Sequence, residues 1–179
     1  MIEALTLGRE TRMNTLFTII GGVHLLTSAS CMVLGAVMLL AVKGNLAHSK
    51  RGNQYFYLML VTNITALMIY RLDVFFFPHW LAIATLITVL AGYWMASKKP
   101  VKRWLAIHIV CMVTSYYMLV GGAINEAFLR IEFFTSLAQG NDSNILGIAH
   151  SITMLIFLII AGYYLIRYRK WEMVEQQTS

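Results

Sequence analysis

The chain has 179 residues, 59% of them apolar, and only 12% charged: 14 basic against 8 acidic, a net charge of +6. An average soluble domain carries about 25% charged residues, so these few cannot cover a soluble fold with this much apolar surface. The same composition excludes disorder, and two cysteines exclude a disulfide scaffold. A membrane span needs about 20 apolar residues, which leads us to expect an integral membrane protein, all-α, with a single transmembrane domain over 1–179.

In chain order, five apolar stretches predict helices at about 13–42, 54–76, 79–97, 101–128 and 145–166. The first is closed by Lys43. It is too long for a signal-peptide core and is preceded by Glu3 and Glu10, so it is expected to be retained. The second ends near Arg71 and Asp73, read as an ion pair at the membrane surface. Pro78 and Pro100 separate the second, third and fourth stretches, as expected of residues that disfavour helix before them. The polar run Ser136–Asn144 (SLAQGNDSN) reads as the longest turn-rich connection. Hydrocarbon requires every backbone polar group to be satisfied internally, and no alternating barrel pattern occurs, so the spans are read as α-helices.

Five spans set the orientation. One side would carry Lys43, Lys50, Arg51, Lys98, Lys99, Lys102, Arg103, Arg167, Arg169 and Lys170; the other would carry only Arg9, Arg12, Arg71 and Arg130. That bias predicts an N-out, C-in protein of a bacterial cytoplasmic (inner) membrane, with the lipid bilayer as its partner. Trp80, Trp94, Trp104 and Trp171 lie near predicted helix ends, where interfacial anchors belong. The basic residues form no folded basic face, so no nucleic-acid partner is expected.

Polar and small residues at helical spacing mark the faces turned away from lipid. His24, Ser28, Cys31 and Gly35 share one face of the first helix. His48, Gly52, Tyr55, Thr62 and Ala66 form a stripe if the second helix extends back through its loop, with Asn63 and Tyr70 beside it. His108, Cys111, Ser115, Gly122 and Glu126 share a face of the fourth, and His150, Thr153, Phe157, Ala161 and Tyr164 a face of the fifth. The third offers only Thr85, Thr88 and Gly92 and is expected to be the most lipid-exposed; His79 lies just after Pro78 at the outer surface. Gly21-Gly22 and Gly121-Gly122 are expected where helices approach closely.

Four inward histidines in two depth layers point to chemistry. Paired imidazoles from facing helices can ligate haem iron or a transition metal. His24 with His150 would form an outer pair and His108 with His48 an inner one, as haem b ligands exchanging electrons with quinone or a membrane protein subunit. Alternatively His24, His150 and Glu126 would hold a metal ion. Two other readings stay open: a non-enzymatic accessory or assembly protein whose histidines bond neighbouring helices, and a small proton-coupled carrier. The cysteines show no CxxC spacing, and neither a nucleotide-binding glycine loop, HExxH, GxSxG nor a pair of catalytic carboxylates occurs.

The segment His48-Ser49-Lys50-Arg51-Gly52-Asn53-Gln54-Tyr55 and the segment His108-Ile109-Val110-Cys111-Met112-Val113-Thr114-Ser115-Tyr116, together with His24, resemble a family of bacterial multi-pass membrane proteins catalogued as a domain of unknown function. The likeness covers roughly Met13 to Gly122. Ser49, Ile109 and Thr114 stand where that family usually has arginine. The resemblance implies a histidine-bearing helical bundle and no particular activity. The layered histidines are also similar in style to those of b-type haem membrane cytochromes.

Overall fold

The computed structural model describes residues 2–69, 77–139 and 144–178, with side chains described between 14 and 169 of those segments. Arg71, Asp73 and Tyr70 lie outside the described residues, as does the side chain of Trp171. Among the described residues the protein is all-helical, with six helices: α1 (Ile2–Leu40), α2 (Leu46–Met68), α3 (Phe77–Lys98), α4 (Trp104–Arg130), α5 (Glu132–Gln139) and α6 (Ile145–Thr178). Four segments are long and apolar enough to cross a membrane: Asn14–Leu40, Phe77–Lys98, Trp104–Arg130 and Ile145–Arg169.

The chain divides into two compact units, Met1–Leu86 and Ile87–Ser179. In the first, α1 and α2 form an antiparallel hairpin. The turn is built locally: Gly44 adopts φ +80, open to glycine without strain. Lys43 donates to the carbonyls of Met38 and Leu39 at the end of α1. The Asn45 side chain accepts from the backbone N–H of His48 at 2.8 Å, capping α2. That cap starts α2 eight residues earlier than its apolar pattern predicts, so His48, Lys50 and Arg51 stand on its first turns rather than in a loop. A charged first turn is invisible to an apolar-run criterion, whereas the cap is a matter of local hydrogen bonding.

In the second unit, α4 packs antiparallel against α6, and α5 folds against both. The C-terminal half of α3 meets the start of α4 through Gly92, where an added Cβ would lie 2.9 Å from Met112 Sδ and 3.0 Å from Cys111 Cβ. Antiparallel packing brings the Lys98–Arg103 turn and the Arg167–Arg169 segment of α6 to the same end of this unit. In that turn Lys99, at φ 50, sets its ammonium 4.9 Å from the centre of the Trp104 ring.

Two expectations are corrected here. α3 carries a continuous buried face, His79, Ala82, Thr85, Val89 and Gly92, while α6 buries no residue among those described. α6, not α3, is the more exposed helix. That face carries His79 and Thr85 among small residues, so two polar side chains and close packing suffice to make it an interior one. Secondly, among the described residues nothing lies within 4 Å of an added Cβ at Gly21 or Gly22, whereas Gly121 is buried against α6.

Candidate functional site

Each unit holds a histidine in the contact between two antiparallel helices. In the first, His24 Nδ1 lies 3.0 Å from the carbonyl oxygen of Thr62 and 3.2 Å from Thr65 Oγ1. A carbonyl can only accept, so Nδ1 carries the proton and donates, and in the neutral ring the lone pair sits on Nε2. Around this bond runs a small hydroxyl cluster. Thr62 Oγ1 donates to Thr27 Oγ1 at 3.0 Å and lies 3.9 Å from Cys31 Sγ. Thr27 and Thr65 in turn donate to carbonyls of their own helices. Every chain of donors ends on a backbone oxygen, so the cluster is closed. Cys31 is fully buried within it.

The second unit holds two histidine contacts at opposite ends of α4. His108 Nδ1 donates to the Gly92 carbonyl of α3 at 2.8 Å, which again leaves the lone pair on Nε2. His150 of α6 has the opposite arrangement. Its Nε2 donates to Asn125 Oδ1 at 3.1 Å, and its ring covers Gly121, whose added Cβ would stand 3.6 Å from His150 Cε1. Asn125 is 17 residues beyond His108, about 26 Å along the helix. Deeper along the α4–α6 contact, Phe157 sits between Tyr116 and Tyr117, with ring centres 5.6 and 5.7 Å away.

The faces expected on α1 and α4 hold at His24, Cys31 and Gly35 and at His108 and Ser115, and differ by one residue elsewhere. Thr27 rather than Ser28 meets α2; Ser28 bonds back to Leu25 of its own helix at 3.0 Å. Gly121 and Asn125, rather than Gly122 and Glu126, meet α6. Glu126 pairs with Arg130 one turn on, both side chains more than half exposed. On α2, Thr65 joins the expected stripe of Gly52, Tyr55 and Thr62, and on α6 the expected face is the inward one. The signal for Thr65 was its place one turn beyond Thr62; for Asn125, its place one turn beyond Gly121.

Of the residues expected to bind a cofactor, His24 and His48 belong to the first unit and His108 and His150 to the second. His48 is half-buried at the turn end of α2, 14 residues before Thr62 and so about 21 Å from the level of His24. Nowhere among the described residues do three His, Cys, Asp or Glu side chains gather as the shell of a bare metal ion. Haem asks less of the chain, since its macrocycle occupies most of the iron's coordination and the protein adds an axial imidazole. His24 and His108 fit that demand: Nδ1 is anchored to a carbonyl, and no further hydrogen bond to either ring is made among the described residues.

No family model, curated protein or solved structure matches the chain.

Proposed function

We propose that this is a five-span membrane protein that binds haem b and serves in electron transfer, with His24 in the first unit and His108 in the second each offering its Nε2 to a haem of its own. The observation that carries the reading is the shared tautomer. Each ring is oriented by donating Nδ1–H to the backbone of a neighbouring helix, which leaves Nε2 as the ligating atom. Haem supplies one-electron chemistry; the chain contributes imidazoles each oriented by a backbone carbonyl of a neighbouring helix. Quinone or a membrane protein subunit is the electron partner in this reading. His150, whose Nε2 is bonded to Asn125, ties α6 to α4.

α2 is the fifth span. Its apolar part is short, yet it runs beside α1 from Gly52, against Met38, to Thr65, against His24. Those contacts follow about 21 Å of a helix that itself has the length and hydropathy of a span. With α2 counted, the basic turns Lys43–Arg51 and Lys98–Arg103 and the end of α6 share one face of the membrane. The positive-inside bias makes that face cytoplasmic, giving an N-out, C-in protein of a bacterial inner membrane.

The test is a reduced-minus-oxidised absorption spectrum of protein purified in mild detergent. Bound haem is expected, reduced in His24→Leu and in His108→Leu and kept in full in His150→Leu. A colourless protein, free of haem and metal, would refute the proposal. It would favour a second reading, a non-enzymatic accessory protein with structural histidines, for which the closed hydroxyl cluster speaks. The same closure speaks against a proton-coupled carrier, because backbone oxygens do not pass protons on.

A further inference from the structure

The eight residues of α5, EFFTSLAQ, divide cleanly around the helix. At 100° per residue, Phe133, Phe134, Leu137 and Ala138 fill one continuous arc, and Glu132, Thr135, Ser136 and Gln139 fill the other. Only part of the apolar arc is covered by protein. Phe134 packs its ring 5.3 Å from that of Phe128 in the last turns of α4. Phe133 and Leu137, one turn apart, are 68% and 40% exposed.

The position of α5 relative to the spans is fixed by its own contacts. α4 ends at Arg130, and only Ile131, extended at φ -93 and ψ 116, separates the two helices. The chain then folds back: Thr135 Oγ1 donates to the Phe128 carbonyl at 2.9 Å. α5 therefore sits level with the final turn of a span instead of projecting beyond it. At its other end α6, the next span, begins at Ile145. Leu129, near the end of α4, is also uncovered, 73% exposed. Glu126 and Arg130, paired and exposed, lie in the same last turns of α4.

We propose that α5 is an in-plane anchor in the bilayer surface opposite the Lys98–Arg103 turn, with Phe133 and Leu137 inserted among the lipid acyl chains and Glu132, Ser136 and Gln139 facing water. Lipid is the occupant because a single residue joins α5 to a segment long and apolar enough to span a membrane, and the Thr135 bond holds α5 level with that segment's final turn. A short amphipathic helix tethered at both ends to spans has no route out of the interface, and burial of a phenylalanine and a leucine favours the inserted state. This inference rests on α4 and α6 crossing a membrane and is independent of any haem.

The experiment is site-directed spin labelling of the full chain in vesicles of phosphatidylcholine and phosphatidylglycerol. Single cysteines are placed by Phe133→Cys, Leu137→Cys and Ser136→Cys, with the unmodified chain as the background for Cys31 and Cys111. Labels at 133 and 137 are expected to collide with dissolved oxygen in preference to a water-soluble nickel chelate, and the label at 136 to show the reverse preference. The ratio of oxygen to nickel collisions should be higher at 133 than at 136, as for the lipid and water faces of one helix. Equal access of the chelate to all three positions would overturn the proposal. So would labels at 133 and 137 that neither collider reaches, because that result assigns the surface to a second copy or another protein.

Discussion

The α1–α2 hairpin and the α4–α6 pair solve one problem, placing an imidazole between apolar helices, with different acceptors. In the hairpin His24 donates to the Thr62 carbonyl, Thr65 donates to the Val61 and Thr62 carbonyls, and Thr62 donates to the Thr27 hydroxyl. In the α4–α6 pair His150 donates to a side chain, Asn125, and the rest of the contact is aromatic. The first arrangement does not depend on any one side chain, because the acceptor is main chain. The second depends wholly on Asn125. A backbone acceptor also fixes which ring nitrogen is left with the lone pair, which is why His24 and His108 share a tautomer that His150 lacks.

Substitutions can break or sharpen that contrast, each read as the free energy of unfolding in mixed detergent micelles. The largest effect is expected from Gly92→Ala. The new methyl would meet Cys111 Cβ at 3.0 Å, an atom that cannot swing aside, so α3 and α4 must separate. A cost of about 2 kcal/mol follows from overpacking, with loss of the His108 bond to the same glycine's carbonyl. Phe157→Ala removes two aromatic pairs from the α4–α6 contact and should cost about 1–2 kcal/mol. An unchanged stability there would mean that the aromatic rings do not hold the pair together.

The next comparison is the sharpest. Asn125→Leu should cost about 1 kcal/mol, the upper part of the range for hydrogen bonds between membrane helices, because it removes the bond to His150. Thr65→Val should cost less, about 0.5 kcal/mol, because His24 keeps its bond to the Thr62 carbonyl. Equal costs would erase the distinction between main-chain and side-chain acceptors. Smallest of all is Gly121→Ala. Its methyl would stand 3.6 Å from the His150 ring, ordinary contact distance, so a change within about 0.5 kcal/mol is expected despite burial in the same unit as Gly92.

Much of this arrangement is legible in the residues. The inward face of α6 follows from the helical spacing of His150, Thr153, Phe157, Ala161 and Tyr164, since the remaining positions are almost all large and apolar. The faces of α1 and α4 are harder to read because polar or small residues stand next to each other there. Thr27 adjoins Ser28, Gly121 adjoins Gly122, and Asn125 adjoins Glu126. Adjacent residues differ by about 100° around a helix, so either member of each pair suits the pattern and only a packed neighbour chooses. α5 falls inside a stretch whose polar residues read as a connection, because eight residues are too few for periodicity to stand out.

Composition and charge alone set the helical, apolar character of this chain. So few charged side chains can be kept in water only at the ends of long apolar helices, and backbone groups in such helices satisfy one another. Helical spacing alone also brought the histidines to notice. Tertiary structure decided what each histidine bonds. Ring tautomer depends on the atom opposite Nδ1 or Nε2, and that atom belongs to another helix: the Thr62 carbonyl for His24, the Gly92 carbonyl for His108, the Asn125 amide for His150. A one-dimensional pattern carries the direction of a side chain around its own axis but no information about the partner across the gap.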